Sequence, residues 1–119
     1  MLTADENERF EDGVLRFNAR QFFEAHEVWE QLWLRAPATE KAFLQGIIQI
    51  AAAFHHYGLG NLPGAKSLAA AGVEKISRYP GGHRGMDVVR LASEVQAWID
   101  ALGGDKTAWQ PLPPIHRIR

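Results

Sequence analysis

Apolar side chains recur at the three- and four-residue spacing of an α-helix in five segments of this chain, and this pattern constrains its fold more than any other feature. Proline and glycine separate the segments. No stretch alternates apolar and polar residues as a half-buried strand does. The pattern therefore predicts an all-α fold, an antiparallel bundle of about five helices. The predicted helices cover approximately residues 4–18, 22–35, 39–57, 63–78 and 86–102.

Capping signals define several of the helix ends. Thr3, with Glu6 three residues later, forms the capping-box pattern of a helix start. Thr39 is the expected N-cap of helix 3. Pro63 fits the first turn of helix 4, where its missing N–H is not needed. Helix 3 is apolar around most of its circumference, which predicts a position at the centre of the bundle.

The length and composition fit a single domain. A chain of 119 residues buries roughly two-thirds of its unfolded surface without covalent cross-links. It contains no cysteine, so neither disulfides nor thiolate metal ligands are available. We expect a helical domain over residues 1–104 and a proline-containing C-terminal tail over residues 105–119. Four apolar residues predict that this tail packs on the bundle, namely Trp109, Leu112, Ile115 and Ile118.

Charge and hydropathy argue against some classes of partner. The formal net charge of −1 provides no field that favours nucleic acid. The longest apolar stretch, 47–54, is interrupted by Gln49 and is too short to span a bilayer. The first residues are acidic and polar, unlike a signal peptide. We therefore expect a cytoplasmic protein without nucleic-acid or membrane partners. Its four tryptophans provide large rigid surfaces, which makes a homo-oligomer one expectation.

Helix 2 carries polar residues on what we predict to be its inward face. His26, Glu30 and Trp33 are spaced i, i+4, i+7 and fall on one side of a helical wheel. Phe22 and Trp29 lie close on the flanks of that side. A buried carboxylate is rare unless it is paired or hydrogen-bonded. An inward-facing Glu30 therefore needs a structural or chemical explanation.

A polar stripe also runs along helix 3. It consists of Gln45, Gln49 and His56, spaced i, i+4, i+11. Because the link between helices 2 and 3 is short, the two helices are expected to be antiparallel neighbours. That packing would bring the two glutamines against His26 and Glu30.

These side chains have three interpretations. In the first they form a ligand site, where His26, Glu30 and His56 bind a divalent metal and the glutamines orient ligands or water. Glu30 could alternatively be the catalytic residue, because burial would make its carboxylate a stronger general base. In the second interpretation the cluster is a buried hydrogen-bonded network that fixes helix register without a ligand. In the third the stripe on helix 3 is simply exposed.

A second candidate site is the glycine-rich loop before helix 5. It has the sequence Gly-Gly-His-Arg-Gly over residues 81–85, and His83 and Arg84 could hold an anion there. A flexible turn explains the same residues without a ligand.

The stretches 17–18, 22–27 and 43–46, with Gln49 and the later pairs Gly60-Asn61, Gly64-Ala65 and Arg84-Gly85, together resemble the DUF309 family. The most distinctive pattern is His-x3-Glu-x2-Trp, which is formed by His26, Glu30 and Trp33. The resemblance extends to about Leu102. It implies an all-helical bacterial or archaeal domain without an assigned function. A metal-dependent hydrolase activity has been suggested for similar sequences.

Two functions are consistent with these observations. The first is a binding or structural module whose buried His/Glu/Gln cluster sets the packing or receives a small ligand. The alternative is a metal-dependent hydrolase that uses the same cluster. The enzyme requires an open cleft with at least three converging metal ligands. The module requires only that its buried polar atoms satisfy one another.

Overall fold

The computed structural model describes residues 3–102 and 110–118, and over this part of the chain it contains five α-helices and no strand. The prediction of an all-α fold is confirmed. The central position of the third helix is also confirmed, because it packs mainly against its two sequence neighbours. The helices are α1 (Ala4–Asn18), α2 (Phe22–Arg35), α3 (Ala38–Gly58), α4 (Leu62–Ile76) and α5 (Val88–Leu102), with a 3₁₀ turn at His83–Gly85.

The start of α1 follows the capping box that the sequence predicts. The hydroxyl of Thr3 accepts from the backbone N–H of Glu6 at 3.1 Å, and the Glu6 carboxylate accepts from the Thr3 N–H at 2.8 Å. The prediction that Thr39 caps α3 is wrong. Pro37 has the extended backbone of an N-cap residue (φ −65°, ψ 157°), and the helix begins directly after it. Thr39 therefore lies inside the first turn.

Helix α5 begins two residues later than predicted. Gly82, directly before the 3₁₀ turn, and Gly85, its last residue, adopt left-handed backbone angles (φ 86° and 73°), which delays the helix. The carboxylate of Asp87 then accepts from the backbone N–H of Arg90 at 3.1 Å. This contact satisfies one of the N–H groups that a helix start leaves without a partner.

The core is predominantly aromatic. Its largest fully buried side chains include Phe10, Phe17, Trp29, Phe43 and Phe54, all contributed by the first three helices. Each such side chain stabilises the fold by roughly 1.5–3 kcal/mol through the apolar surface that it removes from water.

Helices α3 and α4 approach closely at a pair of glycines. A Cβ atom on Gly72 would lie 2.6 Å from the carbonyl oxygen of Gly46, and a Cβ on Gly46 would lie 2.8 Å from Ile76. Neither position has room for a side chain. Gly46 was expected from the sequence to permit such an approach, and the helix that uses it is α4.

Residues 110–118 lie against the helices. Leu112 and Ile115 are buried, whereas Ile118 is 44% exposed. The side chain of Asn18, at the end of α1, donates to the Ile115 carbonyl at 2.9 Å and accepts from the Ile115 N–H at 2.8 Å. The backbone N–H of Asp87 donates to the carbonyl of His116 at 2.8 Å. The prediction for Trp109 lies outside the described residues, and the division of the chain at residue 104 stays a prediction.

No helix within the described ranges combines the length and the apolar character needed to cross a membrane.

Candidate functional site

The buried face of α2 differs from the predicted one. It is formed by Phe22, Ala25, Trp29 and Leu32, spaced i, i+3, i+7, i+10. Glu30 follows Trp29 by one residue and is therefore turned about 100° away from the centre of this face. Its side chain is 49% exposed. The prediction that Glu30 faces into the bundle is wrong.

The prediction of a buried cluster of polar side chains is also wrong. No polar or charged residue is buried in 3–102 or 110–118. His26 retains 27% exposure of its side chain, and its Nε2 lies 3.3 Å from Oε2 of Glu30. This is an i, i+4 contact on the protein surface, which contributes little to stability. The Nδ1 atom of His26 is enclosed and has no hydrogen-bond partner in the described part of the chain.

The two glutamines of α3 point to different neighbours. Gln45 lines a cavity of about 180 Å³ between α2 and α3, together with Glu30 and Trp33. Gln49 instead accepts a hydrogen bond from Nζ of Lys75 in α4, at 3.1 Å. The expected contact between α2 and the polar stripe is therefore present for Gln45. Gln49 serves the packing of α3 against α4, so its predicted place beside His26 and Glu30 is wrong.

Trp33 is partly buried and takes part in two contacts with a lysine. Nζ of Lys41 donates to the Trp33 carbonyl at 2.6 Å and lies 4.2 Å from the centroid of its ring. The indole N–H of Trp33 is enclosed and has no acceptor among the described residues. A buried donor without a partner is unusual in a folded protein.

The histidines meet at a separate small pocket. His26, His55 and His56 line a space of about 170 Å³ together with Phe23 and Ala52. The structure thus brings His26 and His56 together and leaves Glu30 in the neighbouring cavity. In the described part of the chain, no three His, Asp or Glu side chains are arranged to hold a metal ion. The proposed metal trio of His26, Glu30 and His56 is not assembled in this conformation.

The loop before α5 is stabilised from within the protein. Nε2 of His83 and Nη1 of Arg84 lie 3.1 Å and 3.6 Å from the Glu40 carboxylate in α3. Arg84 also donates to the side chain of Asn7 at 2.7 Å and lies 5.0 Å from the Phe10 ring. Burial lowers the pKa of Arg84 from its ordinary value, while the charge of Glu40 acts in the opposite direction. The two cations that were predicted to hold an anion already have a carboxylate beside them.

The described surface has a large concavity that sequence reasoning missed. It is a groove of about 800 Å³ between the start of α2, the end of α3 and the tail. Most of its wall is apolar. We call it the Phe23 groove; it is lined by Arg20, Phe22, Phe23, Glu24, Phe54, His55, Gly58, Leu59, Pro111 and Leu112.

Two side chains of the Phe23 groove carried a signal in the sequence. Phe23 and Leu59 are large apolar residues, and they are 50% and 69% exposed. Phe23 lies one residue beyond the buried Phe22 and faces outward. Its ring lies 5.5 Å from that of His55, which also lines the histidine pocket. The groove and the pocket are therefore neighbours that share a wall.

Arg20 lies at the mouth of the groove in an unfavourable backbone conformation. It follows the end of α1 with φ 67°, and Gln21 N–H closes the helix on the Arg16 carbonyl at 2.8 Å. This position in a helix-ending turn is the one that glycine usually occupies. A residue with a side chain costs on the order of 1 kcal/mol there. Arg20 therefore reduces the stability of a turn that glycine would favour.

The described residues form a small all-α domain of five helices around an aromatic core. Its prominent open site is the apolar groove beside the third helix. A family model described as "Domain of unknown function (DUF309)" matches residues 10–68. The chain belongs to the DUF309 family through these residues. It is also 38% identical over 93 residues to a Bacillus subtilis (strain 168) protein described as "Uncharacterized protein YpuF". That match covers 72% of this chain and 52% of the relative, so the chain spans about half the length of that protein.

Proposed function

We propose that this chain is a small-molecule-binding module and that the Phe23 groove is its site. The observation that carries the proposal is the groove itself, whose volume of about 800 Å³ lies in the range of small-molecule sites. Its wall combines many apolar side chains with few polar ones, and such walls exclude water while fixing the orientation of a ligand.

The exposure of Phe23 and Leu59 supports this assignment. Burying either side chain on folding would favour the native state, yet both remain in contact with water. A contiguous apolar surface that stays open in the free protein is typical of a place where something binds. A ligand that covers both side chains would remove from water the apolar surface that folding leaves exposed.

The polar residues that were predicted from the sequence as ligand contacts have secondary roles in this proposal. His26 and His56 line the pocket that adjoins the Phe23 groove across His55, so they would meet a ligand long enough to pass that residue. Glu30, Trp33 and Gln45 line the other cavity and offer hydrogen bonds to a second, smaller group. Their role as ligand contacts rests on these positions, and Glu30 remains the candidate for any catalytic step.

The alternative function is a metal-dependent hydrolase that uses His26, Glu30 and His56. It would need Glu30 and His56 to converge with His26 on one ion. Glu30 lies 3.3 Å from His26, but Glu30 and His56 line different cavities, and no three His, Asp or Glu side chains of the described residues are arranged to hold a metal. We therefore favour the binding module. The proposal includes a cytoplasmic protein that acts without nucleic acid, and the second of these expectations rests on the formal net charge of −1.

The proposal is tested by titrating octan-1-ol into the protein and into a matched pair of variants, with isothermal calorimetry as the readout. Phe23→Ala removes an apolar side chain from the groove, and Leu15→Ala removes one that is 69% exposed on α1 and lines none of the cavities described above. We expect binding to the parent protein and to Leu15→Ala, and a clear loss of affinity in Phe23→Ala.

Two results would count against a small-molecule site in the groove. Equal affinity of both variants for octan-1-ol would show that the alcohol binds elsewhere. Concentration-dependent self-association of the parent protein that disappears in Phe23→Ala would assign the groove to a second copy of the chain.

A further inference from the structure

We infer that the Phe23 groove selects amphiphilic carboxylates, with the apolar body of the ligand against Phe23 and Leu59 and its carboxylate on the guanidinium of Arg20. This inference rests on the proposed function and adds the chemical class of the ligand. It is carried by the position of Arg20, by its lack of a partner among residues 3–102 and 110–118, and by the backbone conformation in which it is held.

Arg20 differs from most other arginines of the protein in having no carboxylate beside it. In residues 3–102 and 110–118, only Arg20 and Arg35 make no ion pair with an acidic side chain. The others pair as Arg9–Asp5, Arg16–Asp12, Arg78–Glu74, Arg84–Glu40, Arg90–Glu94 and Arg117–Glu11. Arg35 ends α2 and lines neither the groove nor the histidine pocket. Arg20 therefore supplies the unpaired guanidinium of the groove.

An arginine in the backbone conformation of residue 20 needs an explanation. The left-handed backbone of Arg20 (φ 67°) closes α1 and would be more stable with glycine. The side chain makes no hydrogen bond within the described residues that would offset this preference. An arginine that weakens the turn and has no internal partner is explained by a contact made with a bound ligand.

The wall of the groove contains one charge of each sign. Arg20 and Glu24 both line the groove, and His55 is the remaining titratable side chain in its wall. Arg20 also borders the adjoining crevice lined by Glu94 and 111–114, where Glu94 is held by Arg90 at 3.2 Å. Glu24 makes no ion pair with Arg20, but its charge in the same wall opposes anion binding, so the preference for a carboxylate rests on the guanidinium itself. A planar carboxylate can form two parallel hydrogen bonds with a guanidinium, which gives it the advantage over a neutral headgroup.

The test compares octanoate with octan-1-ol, because the two share an apolar chain and differ in the charged headgroup. For the parent protein we expect calorimetry to show roughly fivefold tighter binding of octanoate, an advantage that decreases as NaCl is added. Arg20→Gly and Arg20→Gln should remove this advantage, so that octanoate and octan-1-ol bind each variant with similar affinity. Arg20→Gly should also melt at or above the temperature of the parent, because it relieves the backbone conformation.

Two further variants complete the design. Arg35→Gln removes an unpaired arginine outside the groove and should leave both affinities unchanged. Glu24→Gln removes the opposing charge and should raise the affinity for octanoate relative to that for octan-1-ol.

The outcomes separate this inference from the proposed function. If octanoate and octan-1-ol bind equally to the parent, the groove binds apolar ligands and the inference is overturned. If octanoate binds more tightly but Arg20→Gln retains the advantage, another cation recognises the carboxylate and the inference is again overturned. If neither compound binds, the proposed function fails together with the inference.

Discussion

The indole N–H of Trp29 donates a hydrogen bond to the main-chain carbonyl of Phe10 at 3.2 Å, which joins the centre of α2 to a carbonyl of α1 in the core. The contact is possible because Gly13, one turn further along α1, has no side chain. A Cβ atom on Gly13 would lie 2.1 Å from that indole nitrogen. Phe10 and Trp29 therefore fix the packing of α1 on α2.

Gly13→Ala should destabilise the protein by roughly 2–3 kcal/mol, because a new methyl group would displace a fully buried tryptophan. The matched control is Gly58→Ala, since a Cβ at Gly58 would meet nothing within 4 Å. That variant should be as stable as the parent or gain up to about 1 kcal/mol from the better helix propensity of alanine. Urea denaturation measures both. Equal stability of the two variants would show that the space at Gly13 is not constrained.

Two glutamates with similar neighbours should respond differently to removal. Glu30 is half-exposed beside His26, so Glu30→Ala should change stability by less than about 0.5 kcal/mol. Glu40 is only 13% exposed and lies beside both His83 and Arg84, so Glu40→Ala should cost roughly 1–3 kcal/mol. Thermal and urea denaturation measure both changes. A larger loss in Glu30→Ala than in Glu40→Ala would restore the inward-facing interpretation of Glu30.

The tail depends on a paired contact with the end of α1. Asn18→Ala removes both hydrogen bonds to the backbone of Ile115 and should destabilise the protein by roughly 1–3 kcal/mol. Asn18→Asp keeps the acceptor for the Ile115 N–H and loses the donor, so its stability should fall between those of Asn18→Ala and the parent. If Asn18→Ala unfolds at the same urea concentration as the parent, the contact contributes nothing to holding the tail.

Metal binding provides a direct test of the hydrolase alternative. Because no three ligands converge in the described part of the chain, we expect no stoichiometric Zn²⁺ or Mn²⁺ by elemental analysis and no shift of the melting temperature with either ion. His26→Ala tests the candidate site, and His116→Ala is the control at a histidine outside the pocket. Stoichiometric metal that is lost in His26→Ala but kept in His116→Ala would make the hydrolase the leading interpretation.

The five helices and several of their ends could be predicted from the sequence, because they depend on residues that are close together in the chain. The capping box of Thr3 and Glu6 begins α1, and Pro37 follows the end of α2. The rotation of α2 was predicted wrongly because aromatic residues lie on both sides of His26 and Glu30. Only the packing of Trp29 against Phe10 determines which side is buried.

The Phe23 groove could not be predicted because its wall combines segments that are distant in sequence. Pro111 and Leu112 complete a wall that begins at Phe23 in α2. Their position depends on contacts such as that of Asn18 with Ile115, which no local pattern encodes. The unusual backbone of Arg20 is likewise a property of the folded turn and is invisible in composition or spacing.

The most direct measurement of the central claim is an NMR titration of ¹⁵N-labelled protein with octan-1-ol, in which the amides that shift identify the site. The account predicts saturable shifts at the start of α2, around Phe22 and Phe23, and at the end of α3, around His55 and Leu59. Amides near Leu15, an exposed apolar residue of α1 that lines none of the cavities described above, should not move. Saturable shifts centred outside the groove, or no saturable shifts at all, would contradict the assignment of the Phe23 groove as a binding site.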